Sequence, residues 1–354
     1  MKIANIIISS QNGGAEQVFI DYMKILKKLD HQVCAIVKNN APYISKINDL
    51  KINISKIHNR FGFYDFFSVK ELVKILLKEN PDAIIAHAGR ATVIARSAIK
   101  KIKNKKIFLI AVNHSTNVKR SIGADFIFSI NKPIFYKTID AGQSPESSFV
   151  IPNAIDIEDA NLNYDKIKIA QKETITIGAL GRFDRTKGFD FLIKAINNLQ
   201  NSHKKVILKI AGAGYFENEL RSLVSNLNLS DRVEFLGWIE DKKKFFAEID
   251  IFCLPSLNEP FGLVLLEAMK YAKPIITTDA DGPKEILSHN TNAIFVKLNS
   301  ETSLDSQIAQ AITDLMENND KCDQLVNNAS KKLIEQFSML SLENRLKEIF
   351  NKKI

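Results

Sequence analysis

Two segments combine residue types suited to binding a phosphate ester and the hydroxyls beside it. The first is Gly181-Arg182-Phe183-Asp184-Arg185-Thr186-Lys187-Gly188, between an apolar run and an amphipathic one. Arginine offers forked donors to phosphate oxygens and lysine a mobile point charge. A helix starting just after Gly188 would add the positive end of its dipole. A pyrophosphate calls for both kinds of donor. The plainer reading is a solvated basic loop, but a glycine at each end suits a backbone approaching a ligand.

The second segment is Pro255-Ser256-Leu257-Asn258-Glu259-Pro260-Phe261-Gly262-Leu263-Val264-Leu265-Leu266-Glu267-Ala268-Met269. Glu259 precedes a helical pattern and Glu267 lies two turns inside it. The residues between are almost all apolar, so the helix is expected to be largely buried. A carboxylate there is costly unless it is paired or meets a ligand. Vicinal ribose hydroxyls fit, because an ionised carboxylate accepts from two donors. A structural ion pair is the alternative.

Weaker signals lie elsewhere. Gly13-Gly14-Ala15-Glu16 follows a strand pattern and opens a helix, yet lacks the Gly-x-Gly-x-x-Gly of a dinucleotide site. His114 sits just past another strand pattern, and His87 has a similar position. A lone histidine there is as readily structural as catalytic. Ala211-Gly212-Ala213-Gly214 lacks a third fingerprint glycine. Asp279-Ala280-Asp281 has the look of a metal-binding pair but leads into a loop and helix start, and is read as coincidence.

These residues depend on elements to position them. Short apolar runs at 2–8, 32–37, 83–86, 107–112 and 126–130 alternate with helical patterns such as 15–28 and 68–79. The rhythm restarts with strands at 175–180, 206–211, 233–236, 251–254 and 274–277, separated by helical patterns at 189–199 and 262–271. Buried strands alternating with crossover helices mean α/β units with parallel sheets covered on both faces. Such sheets bind ligands in the loops at their carboxyl edges. The polar, weakly periodic segment 157–173 is expected to be the linker, and a last helix near 341–352 follows a break at 337–340. The expected domains are 1–165, 166–336 and a C-terminal helix within 337–354 that could cross back to the first domain.

With 354 residues, 45% hydrophobic and 25% charged, the chain suits two soluble domains. Three scattered cysteines argue against a disulfide framework or zinc site and fit a reducing compartment. Neither a signal peptide nor a membrane span is evident, so a cytoplasmic location is expected. The net charge is +9, and residues 1–165 hold 23 Lys+Arg against 15 Asp+Glu, a surplus of eight. A basic first half points to an anionic surface or substrate; Lys-rich solvated helices would give the same surplus.

In this order, the residues resemble the large retaining family four of glycosyltransferases, which have the GT-B fold: two Rossmann-like domains facing across a cleft. The match runs through Gly13-Gly14-Ala15-Glu16, His114, Ile151-Pro152-Asn153-Ala154-Ile155-Asp156, the 181–188 loop, Val233-Glu234-Phe235-Leu236-Gly237 and the 259–267 segment. The resemblance implies that Arg182 and Lys187 bind a donor diphosphate and that Glu267 binds the ribose. It implies that Glu259 reads donor-sugar hydroxyls, with the backbone of Phe261 and Gly262 near the phosphates. His114 would lie beside the donor sugar, and Gly13 and Gly14 would close on the phosphates from the first domain. Ala154 stands where the family usually has glycine, and Asp281 where it commonly has a second glycine before Gly282.

The implied activity is transfer of a hexosyl or N-acetylhexosaminyl group from an NDP-sugar, UDP favoured, to a glycan or lipid-linked acceptor in surface glycan, lipopolysaccharide or glycolipid synthesis. Configuration would be retained. No cofactor or metal is expected, and no nucleic acid partner; peripheral attachment to an anionic inner membrane face is. Negative charge builds on the leaving diphosphate, and fixed cations lower that barrier. An NDP-sugar epimerase of similar fold and a sugar-binding pseudoenzyme are the rival readings.

Overall fold

The computed structural model describes residues 1–11, 13–103, 105–160 and 166–353. The chain divides into two compact units, Met1–Ala154 with Met339–Ile354, and Ile155–Ser338. The division thus falls at Ala154/Ile155, earlier than the boundary at 165 read from the sequence. Ile155 belongs to the second unit because its N–H donates to the Phe337 carbonyl (2.9 Å) and it bridges Ser338. Residues 161–165 of the expected linker lie outside the described residues.

The first unit holds strands β1 (Lys2–Ile7), β2 (Gln32–Lys38), β3 (Asn53–Ile57), β4 (Ala83–His87), β5 (Phe108–Asn113), β6 (Phe126–Ser129) and β7 (Ser148–Val150). They form one parallel sheet in the order β3-β2-β1-β4-β5-β6-β7. Ile3, Ile6, Ile84, Ile85, Ile110 and Ile127 are fully buried. Each such side chain withdrawn from water contributes roughly 1.5–3 kcal/mol. Helices Gly14–Lys28, Phe66–Glu79 and Ala88–Ile99 pack their apolar faces on the sheet. The C-terminal helix Met339–Lys353 docks on Gly14–Lys28, where Lys28 Nζ lies 2.6 Å from Glu343 and Phe350 packs on His31.

The second unit holds β8 (Thr174–Leu180), β9 (Lys205–Ala211), β10 (Val233–Gly237), β11 (Ile251–Leu254), β12 (Ile275–Thr278) and β13 (Ile294–Val296). Its parallel sheet runs β10-β9-β8-β11-β12-β13. Chain order reverses between β1 and β4 in one sheet and between β8 and β11 in the other. At such a switch point the flanking loops leave in opposite directions and open a crevice. The helix expected near 341–352 begins at Met339, after a wide five-residue turn, Leu333–Phe337, that makes the break.

Candidate functional site

In the second unit the candidate residues gather at the β8/β11 switch point. Gly181 leaves β8, Asp184 caps a short turn at Arg185–Lys187, and Gly188 leads into helix Phe189–Asn198. Gly188 has φ +66°, and a Cβ there would sit 2.1 Å from the Pro255 carbonyl oxygen. Only glycine lets the two loops touch. The Leu257 N–H donates to the Thr186 carbonyl (2.8 Å), which fastens the loop after β11 to the loop after β8. Across this seam Lys187 Nζ reaches Glu259 Oε2 at 2.6 Å, both side chains more than four-fifths buried.

Arg182 is exposed, and its Nε donates to Asp184 Oδ2 at 2.9 Å. That bond occupies one edge of the guanidinium. Burial pushes the Asp184 carboxyl up, but the Thr186 hydroxyl and Arg182 outweigh it and hold Asp184 below the usual carboxylate range. Asp184 therefore stays ionised and orients Arg182. Sequence reasoning passed over Asp184, although an aspartate just before a turn is a capping signal.

Glu267 lies in helix Leu263–Lys270, half-buried, and forms an ion pair with Lys242 from 25 residues earlier. It meets neither Lys187 nor Arg182. No local signal in the sequence points to Lys242. Gly262 begins the helix at φ +93°, and the buried Phe261 ring packs edge-on against Phe337. The Gly282 N–H donates to the Glu259 carbonyl (2.9 Å), and a Cβ on Gly282 would lie 2.5 Å from the Phe261 nitrogen. The loop after β12 thereby holds the backbone around Glu259.

Asp279 and Asp281 serve other purposes. Asp279 accepts from the Leu298 N–H (2.8 Å), and Asp281 lies 3.5 Å from Lys284. Both line a cavity of ≈ 280 Å³ beside Asn258. Gly212 and Gly214 have a structural use as well: Gly181 and Phe183 donate to the carbonyls of Ala211 and Ala213 at 3.0 and 2.9 Å, which needs close backbone approach.

In the first unit, Gly13 precedes helix Gly14–Lys28 after β1, and its N–H donates to Glu16 (2.9 Å). His87 ends β4, the neighbour of β1, and His114 follows β5. Their hydrogen bonds fix a direction. Asn5 Nδ2 donates to the Phe19 carbonyl (2.9 Å), so Asn5 Oδ1 faces His87 Nε2 (3.0 Å) as an acceptor. His87 therefore carries its proton on Nε2. Its Nδ1 accepts from His114 Nε2–H at 3.1 Å, and His114 Nδ1 keeps a lone pair. Burial, then the charge of His114, pushes His87 well below the ordinary histidine value. Burial lowers His114 to about 4, so both rings are neutral at physiological pH. Both histidines follow strand patterns in the sequence, but their contact with each other is tertiary.

Residues 162–332 match the family model described as glycosyl transferases group 1. An uncharacterized glycosyltransferase of Haemophilus influenzae is 29% identical over 297 residues, 81% of this chain and 83% of its own. The lipopolysaccharide core biosynthesis glycosyltransferase LpsE of Rhizobium meliloti is 25% identical over 93% of each chain. Among solved structures, Anabaena HepE in complex with UDP and glucose gives a TM-score of 0.83 at 22% identity, covering 99% of this chain and 100% of its own.

Proposed function

We propose that this chain, a group 1 glycosyltransferase of the GT-B fold, moves a hexosyl or N-acetylhexosaminyl group from a UDP-sugar to a glycan or lipid-linked acceptor with retention of configuration. The observation that carries this reading is the Lys187–Glu259 pair at the β8/β11 switch point. It holds a phosphate-binding cation and a hydroxyl-reading carboxylate in one place, where α/β sheets bind nucleotides. Lys187 and the free edge of Arg182 would take the diphosphate and stabilise its growing charge as the anomeric C–O bond breaks. Glu259, freed from Lys187, would accept from sugar hydroxyls. Glu267 would exchange Lys242 for the ribose hydroxyls. In the first unit, taken by itself, the Nδ1 lone pair of the neutral His114 would accept from a sugar hydroxyl.

No metal enters this reading, because the two cations already balance the diphosphate and the carboxylates of Asp279 and Asp281 are engaged. The Rhizobium relative acts in lipopolysaccharide core synthesis, which supports a surface-glycan or glycolipid acceptor. No helix among the described residues is long and apolar enough to cross a membrane. Peripheral docking at an anionic cytoplasmic face is supported by an exposed aromatic ridge, Phe61, Tyr64, Phe66 and Phe67, with Lys70 and Lys101 over the Phe66 ring.

The test is a thermal-shift screen of UDP, GDP and their sugars, followed by product analysis with the ligand that binds. A ligand taken up only by the folded protein raises the melting temperature. Stabilisation by UDP and UDP-sugars and transfer to an added acceptor are expected. An isomerised donor released without transfer would make the protein an epimerase, and donor binding without turnover a pseudoenzyme.

A further inference from the structure

The first unit contains two arginines that the donor reading does not use. Arg90 stands in the first turn of helix Ala88–Ile99, directly after β4, and Arg120 in the turn that follows β5 and His114. Both are half-buried. Their guanidinium carbons lie 5.5 and 3.8 Å from the centre of one ring, that of Phe63. Neither side chain has an ion pair or hydrogen bond among the described residues, and Arg90 Nε is buried without a partner.

By itself that arrangement is unfavourable. Two cations share a partly desolvated place with no carboxylate to offset them, and a buried donor goes unused. Stacking on Phe63 engages the guanidinium faces and leaves the N–H edges free. The local backbone is shaped around the pair. Gly89 has no side chain, and a Cβ there would lie 3.0 Å from Arg120 Cδ, so glycine is what admits the Arg120 stem. Ala88 takes φ +66°, a left-handed conformation unfavourable for a residue with a Cβ. By contrast Arg96, six residues further along the helix, has its Nε buried without a partner too but donates from Nη2 to the carbonyls of Ser121 and Ile122 (3.1 and 2.8 Å), which makes it structural.

A tetrahedral oxyanion fits two free forks. Its several oxygens would accept paired bonds from both forks at once, which a monatomic ion or a single neutral hydroxyl cannot do. The donor's diphosphate already has Arg182 and Lys187. The neighbouring surface bears on the source of a second phosphate. Phe63 belongs to the same segment as the exposed Phe61 (70%), Tyr64 (88%) and Phe67 (62%). Exposed aromatic side chains beside basic ones bury at the boundary between headgroups and acyl chains of a bilayer.

We propose that Arg90 and Arg120, held on Phe63, bind a phosphoryl group of the acceptor, so that the substrate is a lipid-linked sugar phosphate. This deepens the transferase reading and rests on it only for the word acceptor; the anion site stands on its own geometry.

The experiment titrates the full chain with inorganic phosphate, glucose 1-phosphate, and phosphatidylcholine vesicles with or without a long-chain polyprenyl phosphate. Arginine Nε–Hε resonances are followed by NMR and vesicle binding by co-sedimentation. Inorganic phosphate should shift the Arg90 and Arg120 signals. Polyprenyl phosphate vesicles should bind at least tenfold more tightly than phosphatidylcholine alone. R90K/R120K keeps the charge and the stems, and so the fold, but loses the forks; it should weaken both effects at least tenfold. No phosphate response in wild type, or a response unchanged in R90K/R120K, overturns the proposal. Equal affinity for glucose 1-phosphate and the vesicles would overturn the lipid-linked source and assign a soluble sugar phosphate. UDP affinity, measured in parallel, should be the same in wild type and variant. Loss of UDP binding in wild type would sink the donor reading and leave the phosphate result untouched.

Discussion

Lys187 Nζ lies 2.6 Å from Glu259 Oε2, joining the loop after β8 to the loop after β11 at the point where the second sheet reverses its order. In the proposed function the two groups have separate tasks: a diphosphate would compete for the lysine, and the carboxylate would then be released.

Two glutamates should therefore separate experimentally. Lys187→Ala should lower turnover by about two orders of magnitude or more, the scale of one lost preorganised donor. Glu259→Gln should leave the affinity for free UDP at or above wild type, because Lys187 is released, while transfer falls. Glu267→Gln should weaken UDP itself. Calorimetry with the nucleotide alone distinguishes them, and equal losses in both glutamate variants would contradict the division of roles.

The histidine pair has a pH signature. Both rings are held below the unfolded value of about 6.5, His114 at about 4. Between those values the unfolded chain binds protons that the folded chain refuses, so stability is complete above about pH 6.5 and falls as pH drops toward 4. Thermal unfolding of wild type should decline more steeply from pH 6.5 to 4.5 than that of a His87→Gln/His114→Gln variant. Histidine ¹⁵N shifts should report His114 protonated on Nε2. Identical pH slopes, or a proton on Nδ1, would refute the hydrogen-bond chain from Phe19 through Asn5.

Chelation tests the metal-free proposal. Transfer should survive excess EDTA if, as proposed, Arg182 and Lys187 supply the charge that a divalent ion would otherwise bring. Abolition by chelator with rescue by manganese or magnesium would restore Asp279 and Asp281 as ligands.

Membrane docking is checked by co-sedimentation with anionic liposomes. Each basic residue near such a surface contributes about 1 kcal/mol, and the attraction is screened at about 1 M salt, where the Debye length is about 3 Å. Of the lysines in 100–106, Lys105 is tied to Asp82 at 2.8 Å and Lys106 lies over Phe108, while Lys101 lies over Phe66 in the aromatic ridge itself, so Lys100, Lys101 and Lys103 are the three to replace. Binding should need anionic lipid, fall with salt, and weaken when these three become Gln or when Phe61 and Phe67 become Ser. Failure of wild type to bind anionic liposomes at low salt would argue for a soluble acceptor.

The succession of α/β units, the placing of candidate residues in post-strand loops and the family resemblance were all legible in the amino-acid order. Local physics explains why: buried parallel strands read as apolar runs, crossover helices as a 3.6-residue period, and phosphate loops as glycine with arginine and lysine. Partners distant in sequence were not legible. Lys187 meets Glu259, Glu267 meets Lys242, and His114 stands on His87 and Asn5 because strand order, unlike strand existence, is decided by how helices cover both faces of each sheet. The grouping of helix Met339–Lys353 with the first unit and the sharing of Phe63 by Arg90 and Arg120 are of the same kind. A chain's own order records which groups it carries; which of them come within hydrogen-bonding reach depends on packing energies summed over the whole unit, and only the folded structure resolves that sum.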